Sequence, residues 1–143
     1  MEIRDAVEAD AERMAELSGS PPDVMRNLVH DRTVRVAETP ADGDGGDEED
    51  GASVIGFVSF DARDSTVHVT QIGGNEAACG RLIEEPISFA QREGMSVEVL
   101  LPEDEDAART AIEDAGFEDE GAGPQFEGQP TTRYRLEPGR ARQ

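Results

Sequence analysis

The chain has no lysine and few basic side chains of any kind. All 13 basic residues are arginine, against 33 aspartates and glutamates, so the formal net charge is −20 at pH 7 over 143 residues. Sequence-independent binding to nucleic acid needs a cationic surface, as does binding to anionic membranes, so we expect neither partner. At molar salt the Debye length falls to about 3 Å, which screens the self-repulsion of such a chain. The composition therefore favours a cytoplasmic protein from a halophilic archaeon.

Cysteine and long apolar runs are also scarce. Cys79 is the only cysteine, which excludes an intramolecular disulfide and a cysteine-based metal cage, and we expect no metal site. There is no run of 18 apolar residues and no signal-peptide pattern, so we expect neither a spanning helix nor a leader. The length fits one domain over residues 1–137. Six acids and four glycines predict a mobile acidic loop at residues 39–52, and residues 138–143 are predicted to be a disordered tail.

Apolar periodicity predicts a mixture of strands and helices. Alternating apolar residues indicate strands, whereas spacings of three and four indicate amphipathic helices. The predicted strands span residues 2–7, 33–38, 53–61, 66–72, 97–101 and 131–136. The predicted helices span residues 11–18, 21–30, 79–94 and 102–115. Asp10 and Ser20 are the expected caps of the first two helices, and Pro86 is expected to kink the third.

The connections between these elements predict the topology. Strands two, three and four follow one another without an intervening helix, so we expect them to be antiparallel. A helix joins strands four and five, which requires a parallel crossover. The predicted fold class is α+β, with a mixed, mostly antiparallel sheet and helices on both faces.

Four segments in this order resemble the GNAT superfamily of N-acetyltransferases across nearly the whole chain. Residues 3–11 resemble the family's first strand and the start of its first helix, and residues 56–58 resemble its third strand. Residues 67–94 resemble its fourth strand, pyrophosphate loop and third helix, and residues 115–117 resemble its final Gly-Phe pair. The resemblance implies that strands four and five splay apart at a bulge and that the cofactor is acetyl-CoA. The pantetheine arm would then lie on the backbone of one strand and the pyrophosphate on amides at a helix start. These residues are Val69, Thr70, Gln71 and Ile72 for the arm, and Ala77, Ala78, Cys79, Gly80 and Arg81 for the pyrophosphate.

The pyrophosphate loop departs from the family pattern Gln/Arg-x-x-Gly-x-Gly/Ala. In the gapless register the chain has Gly74-Asn75-Glu76-Ala77-Ala78-Cys79, and a one-residue slip puts Asn75, Ala78 and Gly80 at the motif positions. In either register the first Gln or Arg is missing and at least one Gly is replaced. Glu76 also brings negative charge to the place where phosphates would lie, although Arg81 is nearby. A carboxylate close to phosphates costs Coulomb energy, so we predict weak binding of acetyl-CoA, in the high micromolar range or worse.

Four side chains are candidates for chemistry. The resemblance places Ile112 where many family members have a tyrosine that protonates the leaving thiolate. His68 points away from the face of Val67 and Val69, and it is either a general base or water holder or a solvent-facing structural residue. His30, at a helix end, lies near the family's acceptor site or only interacts with the helix dipole. Cys79 at a helix start is either a thiol of lowered pKa or a small buried residue.

Two functions follow from the resemblance. The first is an acetyl-CoA-dependent N-acetyltransferase acting on an amine of a small molecule or protein. An amine can attack a thioester with positioning and an oxyanion donor alone, so a missing tyrosine does not abolish the reaction. The alternative is a GNAT-fold protein with an eroded cofactor site that acts as a non-catalytic ligand- or protein-binding module. Either would be a monomer or a homodimer.

Overall fold

The sheet is the centre of the structure, a computed structural model that describes residues 1–39, 53–125 and 128–137. Within these ranges there are seven strands, five α-helices and one short 3-10 turn, Glu8–Asp10. The strands are β1 (Glu2–Asp5), β2 (Thr33–Thr39), β3 (Ser53–Arg63), β4 (Thr66–Gly74), β5 (Ser96–Pro102), β6 (Glu118–Ala122) and β7 (Thr131–Leu136). The helices are α1 (Ala11–Ser18), α2 (Pro22–Asp31), α3 (Glu76–Leu82), α4 (Glu84–Glu93) and α5 (Asp106–Asp114). Residues 40–52 of the predicted loop, and the predicted tail at 138–143, lie outside the described residues.

The strands lie in the order β1-β2-β3-β4-β5-β7-β6. Neighbouring strands are antiparallel except β4 and β5, which are parallel. This arrangement confirms the predicted fold class. In the described part of the chain, no helix combines the length and the apolarity that a membrane crossing requires.

Two hydrophobic cores hold helices against opposite faces of the sheet. The face that we call the α1–α2 face packs Met14, Met25, Val36 and Phe57 against those two helices. The α3–α5 face packs a larger set of apolar side chains under the three later helices. Members of that set include Val58, Val67, Val69, Leu82, Ile87, Val97, Val99 and Ile112. The α1–α2 core contains strand residues only from β2 and β3, so the two helices leave that face of β4, β5 and β7 less covered.

The predicted long helix at residues 79–94 is wrong in both its start and its continuity. It begins earlier, at Glu76, because the Asn75 side chain caps it by accepting a hydrogen bond from the Ala78 N–H (2.8 Å). It breaks after Leu82 rather than kinking at Pro86, since proline has no N–H to donate to the carbonyl four residues before it. Pro86 then lies in the first turn of α4, where a missing donor costs little.

One capping contact and two boundaries also differ from the predictions, although α1 begins at Ala11 after Asp10 at the N-cap position, as predicted. Asp10 does not cap α1 with its side chain, because its carboxylate accepts a hydrogen bond from the Val7 N–H (2.8 Å) and pairs with Arg4. Pro21, not Ser20, is the N-cap of α2. Pro102 does not begin a helix, since it is the last residue of β5 and pairs with Thr131.

Two features of the strands escaped prediction. The β3–β4 turn is shorter than expected, because both strands extend to a two-residue turn at Asp64 and Ser65, with φ of 55° and 64°. Positive φ at both central residues is the geometry that matches the twist of a hairpin. β6 was not predicted because all five of its residues are exposed, so it has no alternation of apolar side chains.

Candidate functional site

A wedge opens between β4 and β5. The two strands pair only over residues 66–69 and 96–99, although β4 continues to Gly74 and β5 to Pro102. The separation begins at a β-bulge: Ser59 pairs with Gln71 and Phe60 with Val69, so Thr70 is an extra residue on β4. Among the described strands, none pairs with β4 beyond Val69 on the β5 side. The wedge therefore presents unpaired backbone to which an extended ligand can add like a strand.

The Thr70 side chain fixes the bulge. Its Oγ lies 2.6 Å from the Ser59 Oγ and donates to the Ser59 carbonyl at 3.2 Å. Both hydroxyls lie between β3 and β4 on the α1–α2 face. The bulge at which β4 and β5 separate is therefore tied to β3 by a side chain.

The start of α3 lies directly beyond the wedge. Asn75 satisfies two of its amides: its Oδ1 accepts from Ala78, and its carbonyl accepts from the Cys79 N–H at 2.9 Å. Of the five residues predicted to face a pyrophosphate, Ala77 keeps its amide at the open first turn, whereas Gly80 and Arg81 lie in the second turn. A phosphate at this end competes with the Asn75 side chain for the Ala78 amide.

A cleft of about 490 Å³ lies between α3, the start of α4 and the end of α5. Its walls combine small residues with three carboxylates and include no basic side chain. The lining residues are Glu76, Ala77, Gly80, Glu84, Ala111, Asp114 and Ala115. Arg81 is exposed on α3 but does not line the cleft. Small side chains leave room for a ligand's close approach, whereas the carboxylates oppose an anionic one.

His68 lies just before the bulge, on the α1–α2 face. Val67 and Val69 are buried in the opposite core, so the predicted orientation of the imidazole is confirmed. Its Nδ1 lies 3.5 Å from the Glu98 Oε1 across the parallel pair, and the side chain is 29% exposed. A half-buried imidazole beside a carboxylate can accept or donate a proton at the open face of the sheet.

Sequence reasoning missed Glu98. This carboxylate is 13% exposed and accepts a hydrogen bond from the Arg133 Nη1 at 3.0 Å. The signal was present, because Glu98 is the one acid in the otherwise apolar segment at residues 97–101. An acid within a central strand needs partners, and the partners here come from β4 and β7.

No tyrosine stands in for the family's acid. Ile112 is fully buried in the core beneath α5. Tyr134, the only tyrosine of the chain, donates its hydroxyl to the Glu113 Oε2 at 3.2 Å. At about 100° per residue, Glu113 lies about 160° around α5 from the cleft-lining Ala111 and about 100° from Asp114, which turns it away from the Ala111 side of the cleft. Tyr134 is therefore a structural residue of the core, and burial and the Glu113 carboxylate raise its pKa although Arg109 opposes them.

The other two candidates lie away from the wedge. Of the two alternatives for Cys79, the structure supports the small buried residue: burial, with a contribution from the Glu105 charge, raises the pKa of the thiol to about 11. Cys79 is a small buried residue whose Sγ–H donates to the Gly74 carbonyl at 3.6 Å. His30 is exposed near the end of α2, with its Nε2 3.4 Å from the Glu8 Oε2.

Comparison with known proteins identifies the fold. No protein-family model and no curated protein matches this sequence. Arabidopsis thaliana NAA60, solved with a bisubstrate analogue, superposes with a TM-score of 0.73 at 15% identity, covering 96% of this chain and 98% of that one. The Salmonella typhimurium protein yncA, solved with its cofactor acetyl-CoA, gives 0.68 at 17% identity over 95% and 92%. A GNAT-family protein from Desulfovibrio desulfuricans gives 0.67 at 22% identity over 95% and 98%. The chain therefore has the fold of the GNAT acetyltransferases.

Proposed function

We propose that the protein is an N-acetyltransferase that moves an acetyl group from acetyl-CoA to an amine of a small molecule or a protein. The observation that carries the proposal is the wedge between β4 and β5, with its bulge at Thr70. The solved relatives in complex with acetyl-CoA and with a bisubstrate analogue support it, since they share the fold. The net charge of −20 supports a salt-rich cytoplasm as the place where the protein works.

The two ends of acetyl-CoA fit the residues differently. Val69 is the last residue of β4 that pairs with β5, and the uncharged pantetheine arm suits the backbone that begins there and continues through Thr70, Gln71 and Ile72 without a partner on that side. We assign the pyrophosphate to the amides of residues 77–81, at the start of α3. Glu76, Glu84 and Asp114 oppose it from the adjoining cleft. The donor set therefore fits the arm well and the phosphates poorly, which supports weak binding that strengthens as salt screens the carboxylates.

Positioning supplies most of the catalysis in this proposal. The acceptor amine attacks the thioester carbonyl carbon, the C–N bond forms, and the C–S bond breaks. Since no tyrosine of the described site reaches the cleft, the thiolate takes its proton from the attacking nitrogen or from solvent. His68, at the open face beside the bulge, is the proposed general base that keeps the acceptor amine neutral.

Calorimetric titration with acetyl-CoA in 0.5 M KCl, where a Debye length of about 4 Å leaves the carboxylate charges only partly screened, tests the proposal. We expect a dissociation constant in the high micromolar range for the wild type and a severalfold lower one for Glu76→Gln. The substitution removes about 1 kcal/mol of repulsion, which corresponds to a severalfold gain in affinity. Glu12→Gln is the matched control, because Glu12 is also an exposed acid in the first turn of a helix but lies in α1. Its affinity should equal that of the wild type.

Amide chemical shifts decide between the two candidate functions. If acetyl-CoA binds as proposed, its addition shifts the amides of residues 68–82 and leaves α1 and α2 unchanged. If near-saturating acetyl-CoA moves no amide there, in the wild type or in Glu76→Gln, the transferase proposal fails. The non-catalytic binding module then becomes the better assignment, and the acid-lined cleft and the buried Ile112 are the observations that favour it.

A further inference from the structure

We infer that Glu98 is a positioning residue that orients His68 by accepting a hydrogen bond from the imidazole Nδ1–H, which leaves Nε2 as the proton acceptor. The inference rests on the proposed function for its chemistry but not for its geometry. His68 and Glu98 are register partners in the short parallel segment of β4 and β5, one residue before the last pair. Their side chains meet with 3.5 Å between Nδ1 and Oε1.

The Glu98 carboxylate is itself held in place. Its Oε2 accepts from the Arg133 Nη1 at 3.0 Å, and the Arg135 Nη1 lies 3.6 Å from the same oxygen. Each oxygen therefore has its own side: Oε2 faces the two arginines of β7, and Oε1 faces His68 on β4. A carboxylate fixed in this way can fix the plane and the tautomer of an imidazole beside it.

The other charged groups around His68 are already paired. Asp61 is its register partner on β3, but the Asp61 carboxylate binds the Arg32 guanidinium. Arg133 and Arg135 on β7 reach His68 only through Glu98. Within the described residues, no side chain forms a hydrogen bond or an ion pair with the His68 Nε2. Glu98 is therefore the group that sets the orientation of this ring.

The orientation gives His68 a defined role in acetyl transfer. With the proton held on Nδ1, the Nε2 lone pair accepts one proton from the ammonium group of the acceptor. The resulting amine attacks the thioester, and as the C–S bond breaks, its second proton passes to the thiolate. The imidazolium then returns its proton to solvent, so no other reagent is needed.

Nitrogen NMR of the free protein tests the geometry without any substrate. The chain has two histidines, so His30 is an internal control in every spectrum. At a pH where both rings are neutral, long-range ¹H–¹⁵N spectra should show His68 as the Nδ1–H tautomer. In Glu98→Leu that preference should be lost, while the signals of His30 stay unchanged. An Nε2–H tautomer of His68 in the wild type, or an unchanged tautomer in Glu98→Leu, would overturn the inference.

Two further variants separate the pairing from a general effect on the fold. Glu98→Gln keeps the shape of the side chain and retains an acceptor oxygen, so it covers the case in which Glu98→Leu does not fold. In Glu98→Gln we expect the Nδ1–H population to fall, because the carboxylate is the stronger acceptor. Glu137→Gln removes another carboxylate that is hydrogen bonded by Arg135, and it should leave the His68 tautomer unchanged. A change in Glu137→Gln equal to that in Glu98→Gln would contradict a specific role for Glu98.

Kinetics of the full chain test the consequence for the reaction. We expect Glu98→Gln to lower kcat about 10- to 100-fold, within the range of a general base that is present but poorly oriented, with KM for acetyl-CoA unchanged. His68→Ala should lower kcat at least as much, and the double variant should be no slower than His68→Ala. If the double variant loses kcat by the product of the factors lost in the two single variants, the inference is overturned. Absence of acetyl-CoA binding would reject the proposed function alone, since the tautomer of His68 is measured without it.

Discussion

Gly56 and Gly74 lie opposite each other on β3 and β4, and neither position has room for a side chain. A Cβ at Gly56 would lie 2.8 Å from the Gly73 carbonyl oxygen and 3.0 Å from the Ala78 Cβ. A Cβ at Gly74, whose φ is +127°, would lie 2.7 Å from the Ile55 carbonyl oxygen. The two glycines let the first turn of α3 press against the end of the hairpin, which sets the start of α3 beside the wedge.

Substitution of Gly56 by alanine should therefore destabilise the protein. The added methyl meets backbone that cannot move independently, so we expect a loss of about 1 to 3 kcal/mol in the free energy of unfolding. Gly80→Ala is the matched control, because a Cβ at this helical position meets nothing within 4 Å. It should be neutral or stabilising by about 0.5 to 1 kcal/mol. Urea denaturation followed by circular dichroism measures both, and equal effects would contradict the close packing.

The Arg4–Asp10 pair should contribute to stability in a pH-dependent way. Burial alone would raise the pKa of Asp10, but the hydrogen bonds from Arg4 and the Val7 N–H, together with the Arg4 charge, lower it below its ordinary 3.8. A lowered folded pKa means that this stabilisation is present above the unfolded pKa and is lost as the pH falls through the folded value. Asp10→Asn should cost about 1 to 2 kcal/mol at pH 7.

The matching control is Glu16→Gln, which removes an exposed partner of Arg13 and should cost under about 0.5 kcal/mol. The difference between the wild type and Asp10→Asn should stay constant from pH 7 to pH 5 and shrink below about pH 4. Unfolding free energies measured across this range check the sign. A difference that grows as the pH falls would contradict the lowered pKa of Asp10.

Cys79 should be unreactive in the folded protein. The residue is fully buried, and its thiol pKa is raised to about 11 by burial and by the Glu105 charge. At pH 8 less than about one hundredth of the thiol is therefore ionised, and a thiol reagent in solution has no access to the buried sulfur. Dithionitrobenzoate should label the native chain at the rate of its unfolding and label the chain in 8 M urea at once. Fast labelling of the native chain would show that the start of α3 opens readily.

Stability should rise with salt. With 20 excess negative charges, self-repulsion opposes the folded state in dilute buffer and is screened as the Debye length falls from about 10 Å at 0.1 M to 3 Å at 1 M. Relief of 1 to 2 kcal/mol corresponds to a rise in Tm of about 5 °C in a domain of this size. Thermal melts from 0.1 to 3 M KCl should show most of the rise below 1 M, as screening requires. A flat Tm would contradict adaptation to salt.

Predictability from the sequence follows the burial of each element. β5 was predicted nearly to its ends because apolar residues at 97, 99, 100 and 101 leave few alternatives, and the parallel crossover followed from the helix before it. β6 had no such signal, since every residue in it is exposed. The break between α3 and α4 depends on the carbonyl of Leu82, which Pro86 cannot satisfy, and periodicity alone does not reveal which turn gives way.

The site was only partly predictable for a related reason. The alternation of His68 with Val67 and Val69 was enough to predict the face of the sheet on which the His68 side chain lies. Its partner Glu98 could not be found that way, because a pairing across β4 and β5 depends on a register that only the folded sheet fixes. The cleft beside α3 likewise depends on the packing of α5 against it, and its three acids come from three separate helices.

Among the described strands β6 is an edge of the sheet, and its charge and shape bear on whether a second chain can pair with that edge. Glu118, Asp119 and Glu120 are consecutive exposed residues of this edge strand, and like charges at a strand edge discourage a second chain from pairing there. Molar salt would remove most of that protection. The strand has a second safeguard that salt cannot screen: between Asp119 and Ala122 its register slips against β7, with Gly121 at a φ of +101°. An irregular border gives an incoming strand no continuous row of hydrogen-bonding groups, so resistance to aggregation should persist where electrostatic repulsion has gone.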